Sequence, residues 1–178
     1  ILNGALYYGA FKTAGEIGHT ILIPNNPPGS RSLEHNCSRT ALVDRIVRLM
    51  RANRKSVIAS LVDNDLTKVR SKTIAKAYES GDELTIEVVD DAAVSLGIAI
   101  SNYVTVLSLG RVVIGGGLTE ALGQPFVDKV QAAARRFAFP DRCKAVEVVA
   151  SELEDDAGSL GAALMGLGMC LPGAAITF

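Results

Sequence analysis

Apolar residues recur along this chain with the period of helices more often than with that of strands. From Ser38 to about Ala52, Ala41, Leu42, Ile46 and Leu49 fall on one helical face, with Arg45 and Arg48 outside it. A second helix is expected over Ser56 to Val62. Asp65 is placed to cap a third, running through Lys76, because its side-chain oxygen can accept from the free N–H groups of a first turn. Gly81 then ends that helix. The longest helical pattern covers Asp82 to about Leu107. Its middle (Ala92, Ala93, Leu96, Ile100, Val104) is nearly continuous in apolar residues, which predicts a helix at the centre of the fold. Pro125 suits the first turn of a further helix to Phe137, where its missing N–H has no partner to lose. Ala157 to Met169 forms the last helix, with Leu171-Pro172-Gly173 as its stop.

Shorter runs read as strands. Ile1-Leu2 reads as the end of a truncated first strand, Asn3-Gly4 as a tight turn, and Ala5 to Tyr8 as the returning strand. An opening of this kind points to a fragment, or to a chain whose upstream part was lost. Thr20 to Ile23 is a strand stopped by Pro24, followed by a turn-rich loop over Asn25 to Ser30. Arg111 to Ile114 is a buried strand by its length and β-branching, and Val146 to Ala150 is another. Strands alternating with helices after a β-rich start indicate an α/β domain with a mixed sheet flanked by helices. There is no internal repeat, low-complexity tract or interior linker.

Composition narrows the picture without supplying chemistry. The chain's 178 residues make one domain able to bury a core, and 48% hydrophobic with 21% charged residues is ordinary for a soluble protein. A net charge of -1 gives no electrostatic reason to expect nucleic acid as the partner of this segment. Cys37, Cys143 and Cys170 are odd in number and lack paired metal spacing, which reads as thiols in a reducing cytoplasm. No apolar run is long enough to span a bilayer, and no signal pattern opens the chain.

The candidate chemistry lies in three segments. In Ala14-Gly15-Glu16-Ile17-Gly18-His19 a carboxylate and an imidazole stand three residues apart among glycines. A carboxylate can accept from two neighbouring hydroxyls, an imidazole can donate or accept one bond, and glycines let a ligand approach the backbone. That set suits a polyhydroxylated ligand such as a sugar; the plainer alternative is a polar turn before a strand. Val112-Val113-Ile114-Gly115-Gly116-Gly117 ends a β-branched run in bare backbone, against which a nucleotide can lie and whose N–H groups favour phosphate oxygens. The alternative there is a tight strand-to-helix connection that needs positive φ. In Glu154 to Ala163, Asp155 and Asp156 suit a helix N-terminus better than a metal, and Gly158, Gly161 and Ala162 allow close packing. Arg135, Arg136 and Arg142 read as solvated surface, with contact to phosphates as the alternative.

In this order and at about this separation the three segments resemble the ROK family (repressor, open reading frame, kinase), which contains bacterial sugar kinases and sugar-responsive repressors. The resemblance covers nearly the whole chain. It implies that residues 1–178 are the C-terminal lobe of an actin-like, ribonuclease-H-like sugar kinase, with the N-terminal lobe absent from this chain. It further implies ATP and Mg²⁺, a hexose such as glucose as substrate, a cytoplasmic location, no membrane partner, and a homo-oligomer. Glu16 and His19 fall on the family's Glu-x-Gly-His motif, whose side chains contact sugar hydroxyls. Ser32-Leu33-Glu34 looks like the family's Cys-Leu-Glu, which adds Glu34 to the sugar contacts; its plainer reading is an acid favoured near a helix N-terminus. Gly115, Gly116 and Gly117 fall on the nucleotide segment, where Thr119 and Glu120 could add polar contacts. The family's catalytic aspartate, from an Asn-Asp segment, and its Asp-x-Gly-x-Thr phosphate loop would lie upstream, so the chain alone is expected to be inactive.

One departure from the pattern stands out. Many members carry Cys-x-Cys-Gly-x-x-Gly-Cys between the histidine and the second glutamate, and those thiolates with the motif histidine hold a structural zinc. This chain has Pro28-Gly29-Ser30-Arg31-Ser32 there; Cys37 lies beyond the glutamate and cannot replace three ligands, and His35, a possible ligand in principle, reads as an exposed loop histidine. No zinc is expected, and His19 then needs another partner to fix its tautomer. The competing reading is the sugar-sensing effector region of a ROK-type repressor, which would bind nucleic acid through an added helix-turn-helix domain. The intact glycine segment leans towards the kinase.

Overall fold

Helix α5 (Glu83–Leu107) organises everything packed around it. In this computed structural model, residues 6–153 and 156–170 are described, with side chains up to 167. The expectations for residues 1–5, for Asp155, and for the stop at Leu171-Pro172-Gly173 lie outside the described residues, and Leu6 to Tyr8 join no strand. The chain divides into one unit spanning Gly18–Ser151 and a second made of Ile1–Ile17 and Glu152–Phe178.

In the first unit, Asp82 caps α5 and is itself nearly buried. Its carboxylate accepts from Thr85 N (3.0 Å), Thr85 Oγ1 (2.6 Å), Ser56 Oγ (2.9 Å) and Val57 N (2.9 Å). One side chain thus ties the start of α5 to the turn before α3 (Ile58–Leu61). Burial pushes the Asp82 carboxyl up, yet the bonds from Thr85, Val57 and Ser56 together hold it below the usual carboxylate range.

Helix α7 (Gln124–Phe137), opened by Pro125 as expected, lies along α5. A Cβ at Gly97 would stand 2.4 Å from Ala133 Cβ and 2.8 Å from the Val130 carbonyl oxygen, so only glycine lets the helices meet. Val89, Ala93, Ile100, Val127, Val130 and Ala134 are buried around this contact. The expectation of a central helix at α5 is met. Helices α1 (Leu33–Cys37), α2 (Arg39–Arg51) and α4 (Ser71–Glu79) also pack on α5. In α2 the expected face is the observed one: Leu42 and Ile46 are buried, and Arg45 reaches Asp91 of α5 at 2.6 Å.

Two local readings need correction. Asp65 caps only the 3-10 turn Leu66–Lys68, accepting from Thr67 N at 3.2 Å, and the helix restarts at Ser71. Val69 is extended and fully buried, while Arg70 Nη1 occupies the Thr67 and Val69 carbonyls at 2.8 Å each. Those carbonyls are then unavailable to a continuous helix. The strand expected at Thr20 to Ile23 shrinks to one antiparallel bridge, Ile21 to Ser32. The Arg31 carbonyl accepts from both Leu22 N (2.8 Å) and Ile23 N (3.0 Å), which pinches the pairing off before it can extend.

Strands β1 (Arg111–Ile114) and β2 (Glu147–Ala150) pair in parallel, in register Arg111 to Glu147 through Ile114 to Ala150. This gives the expected α/β class, with antiparallel pairing among the described residues limited to the Ile21–Ser32 bridge. β1 is not buried throughout, contrary to expectation. The pleat turns Ile114 inward, while Val113 is 61% exposed on the opposite side. Between the strands run α6 (Gly117–Leu122) and α7.

In the second unit, the segment after Tyr8 turns on itself: Lys12 N donates to the Gly9 carbonyl (3.3 Å) and Ala14 N to the Tyr8 carbonyl (3.1 Å). Helix α8 (Ala157–Cys170) follows the expected span, with Leu160, Met165 and Leu167 exposed. Among the described residues no helix is long and apolar enough to cross a membrane.

Candidate functional site

His19 ends the 3-10 turn Ile17–His19, and the chain then meets the segment that leads into α1. Thr20 to Ile23 and Arg31 to Leu33 run side by side, joined by the Leu22 and Ile23 bonds to Arg31 and by Leu33 N to the Thr20 carbonyl (3.0 Å). Ser32 is buried and starts α1, its Oγ lying 3.4 Å from His35 N and 2.7 Å from His35 Nδ1. That start sets Glu34 in the first turn of α1, where its charge suits the helix dipole.

The consequence is a contact that the sequence does not announce. A Cβ on Gly18 would sit 3.2 Å from Glu34 Oε2 and 3.5 Å from Glu34 Cβ. Gly18, in the middle of the glutamate–glycine–histidine motif, therefore lies directly against the Glu34 carboxylate. Gly18 and Glu34, one from each segment singled out for sugar contact, are thus neighbours in space. His19 and Glu34 are both exposed. Glu16 is also exposed and belongs to the Ile1–Ile17 unit.

The shortened loop is held by polar side chains that bond its backbone. Asn26 Nδ2 donates to the Ser30 carbonyl (3.2 Å), Ser30 Oγ to the Pro27 carbonyl (2.8 Å), and Arg31 Nε to the Asn26 carbonyl. Asn36, one turn into α1, donates from Nδ2 to the carbonyls of Ser30 (3.1 Å) and Ser32 (2.7 Å). The loop and the helix carrying Glu34 are thus one hydrogen-bonded piece. Sequence reasoning read this stretch as turn-rich but did not single out Asn26, Arg31 or Asn36, since the acceptors are backbone groups that only the folded loop presents. Among the described residues no three His, Cys, Asp or Glu side chains gather to hold a metal ion.

Cys37 closes α1 against α5. Its Sγ donates to the Ala92 carbonyl at 3.5 Å; burial first, and the charge of Glu34 second, push the thiol up to about 12. Cys37 and Cys143 are both unpaired, and the Cys170 side chain lies outside the described residues.

The glycine segment follows β1 into α6. Gly115 approaches Ser151, the residue after β2, so closely that a Cβ would stand 3.2 Å from Ser151 Cβ. Gly116 has φ 99°, a conformation that L side chains rarely adopt, and nothing lies within 4 Å of where its Cβ would be. The strand-to-helix connection does require positive φ, and it also leaves bare backbone facing open space. Gly117 begins α6, and Thr119 is buried within it, its carbonyl accepting from Gly123 N at 2.8 Å. Glu120 is exposed on the same helix.

The profile of the ROK family matches residues 1–168. The glucokinase of Thermotoga maritima is 31% identical over 170 residues, 92% of this chain and 52% of that protein. An N-acetylmannosamine kinase of Escherichia coli O7:K1 is 30% identical over 168 residues, 94% of this chain and 52% of that protein. Among solved structures, a ROK family glucokinase from Streptomyces griseus in complex with glucose and AMPPNP superposes with a TM-score of 0.78. It is 24% identical and covers 90% of this chain and 54% of its own. The chain spans about half the length of the curated relatives it matches.

Proposed function

The chain belongs to the ROK family, and from that premise we propose that residues 1–178 form the C-terminal lobe of an ATP-dependent sugar kinase. Glu16, His19 and Glu34 contact hydroxyls of a hexose, while Gly115, Gly116 and Gly117, with Thr119, hold the nucleotide. The observation that supports this reading is the packing of Gly18, the glycine between Glu16 and His19, on the Glu34 carboxylate. Both relatives act on sugars by name, one on glucose and one on N-acetylmannosamine, so the class of substrate is better supported than its identity.

In phosphoryl transfer, catalysis is mostly positioning and charge stabilisation. The residues of this chain bind and orient. A carboxylate such as Glu34 accepts from paired hydroxyls and so fixes the rotation of the sugar ring. The open backbone at Gly116 fits a ligand that must lie flat against the chain. Mg²⁺ brought with ATP neutralises phosphate charge when bound, and we assign its ligands to none of these side chains. The loop from Pro24 to Ser32 holds its shape through Asn26, Arg31 and Asn36, and in this reading it needs no zinc.

The test is ADP release by the protein carrying this chain, with Mg·ATP and a panel of hexoses and N-acetylhexosamines. Sugar-dependent release is expected. Glu34→Gln should raise the sugar KM by about tenfold or more, the scale of losing a hydrogen bond to a charged group. Sugar binding without turnover would move the reading to the effector domain of a sugar-sensing repressor. Neither binding nor turnover would overturn the sugar site.

A further inference from the structure

The three glycines after β1 are glycines for different reasons. Gly116 needs glycine for its φ of 99°, and a Cβ there would meet nothing within 4 Å. A Cβ on Gly117 would make only an ordinary contact, 3.8 Å from Ser71 Oγ. Gly115 is the reverse of Gly116. Its φ lies outside the left-handed region, so its backbone suits any residue. A Cβ there, however, would stand 3.2 Å from Ser151 Cβ and 3.8 Å from Ser151 Oγ. Space at Ser151, and not backbone conformation, keeps this position a glycine.

The sheet register explains the contact. Ile114 pairs with Ala150, so Gly115 and Ser151 are the next residues on the two chains. Ser151 N donates to the Ile114 carbonyl at 2.8 Å, which carries the ladder one residue beyond β2. Neighbouring strands run about 4.8 Å apart. At 3.2 Å the start of the turn leans on the neighbouring chain. Because β1 and β2 are parallel, both chains leave the sheet at the same edge, the edge outside which ligands of open α/β sheets sit. Ser151 therefore stops the first residue of the turn, just before φ becomes positive at Gly116 and α6 begins.

We propose that Ser151 is a positioning residue of the nucleotide site: its Cβ stops Gly115 and so sets the path of the bare backbone on which the nucleotide lies. The proposal rests on the glycine turn being the nucleotide site. Ser151 acts through Gly115, and no local pattern marks it, because its role comes from standing opposite Gly115 in the sheet register.

The test is calorimetric titration of ADP and of glucose into the protein carrying this chain, as wild type, Gly115→Ala, Ser151→Gly and the double variant, with melting temperatures alongside. Gly115→Ala should weaken ADP about fivefold or more, the scale of an overpacked contact, with glucose affinity unchanged. Adding Ser151→Gly removes the Cβ that the new methyl would meet and should return most of that loss. Ser151→Gly alone frees the turn from its stop and should weaken ADP about two- to threefold, a few tenths of the effect of a lost contact spread over a looser turn. This single variant keeps the test open if Gly115→Ala does not fold. A loss in Gly115→Ala with no recovery in the double variant would mean that the methyl meets the nucleotide directly, and would overturn the role of Ser151. Unchanged ADP affinity in the folded single variants would overturn it as well, while leaving the glycine turn in place. A wild-type protein that does not bind ADP would overturn the nucleotide site, and this positioning role with it.

Discussion

The α5–α7 pair and the segment Gly18–Cys37 are held by different forces. Along the helices, Val89, Ala93, Ile100, Val127, Val130 and Ala134 are buried and the axes meet at Gly97, so the fit is steric. In Gly18–Cys37 only Ser32 and Leu33 are buried, and the shape comes from directional bonds made by Asn26, Ser30, Arg31 and Asn36. A close-packed interior responds to any change of volume. A hydrogen-bonded loop responds to loss of a donor and much less to bulk. The first region carries stability, and in the proposed function the second carries ligand geometry.

The strongest challenge to that division is Ile100→Ala, which empties a buried position on α5. It should cost about 2–5 kcal/mol in denaturant unfolding, with sugar affinity of the folded fraction unchanged. Gly97→Ala should follow at about 1–3 kcal/mol, as overpacking does. Adding Ala133→Gly removes the Cβ that would stand 2.4 Å away, and should return part of that loss. No recovery would assign the clash to the α7 backbone at the Val130 carbonyl, 2.8 Å away, and not to the Ala133 Cβ.

Asn36→Ala probes the other region. Two bonds to the loop disappear, and stability should fall by only about 1 kcal/mol. Sugar affinity should fall several-fold, because the loop and Glu34 no longer share one frame. If this variant melts as early as Ile100→Ala, the division between the regions collapses.

The smallest effect sharpens the comparison through pH. Asp82 has a lowered pKa in the fold, so its contribution is complete above the ordinary value of 3.8 and is lost as pH falls through the lower folded value. Acid should therefore loosen the start of α5, and Asp82→Asn should flatten the dependence in that window. Identical acid titrations of the two proteins would remove Asp82 from the account.

The elements with local signals were legible. Helices α5, α7 and α8 and strand β2 fall within a residue or two of the spans that apolar period, Asp82 and Pro125 predict. Legibility failed where a distant contact intervened: Val69 enters the core and splits the helix expected from Asp65. Thr20 to Ile23 likewise has strand character, but its partner segment turns into α1 after one bridge. At the candidate site the residue types were visible, and so was the glycine segment. Their juxtaposition was not, because the register of Arg31 to Leu33 against Thr20 to Ile23 depends on backbone bonds formed only in the fold.

By itself the sequence determined where most helices begin and end and that the protein is α/β, and its resemblance to a family supplied the side chains proposed to meet a sugar or a nucleotide. Caps, glycines and apolar period act within a turn or two of chain, so they can be read along it. Tertiary structure alone decided that Gly18 lies on Glu34, that Gly97 admits α7, and that Ser151 stands against Gly115. Each of these is a contact between segments distant in the chain, set by packing and loop closure that no local period encodes.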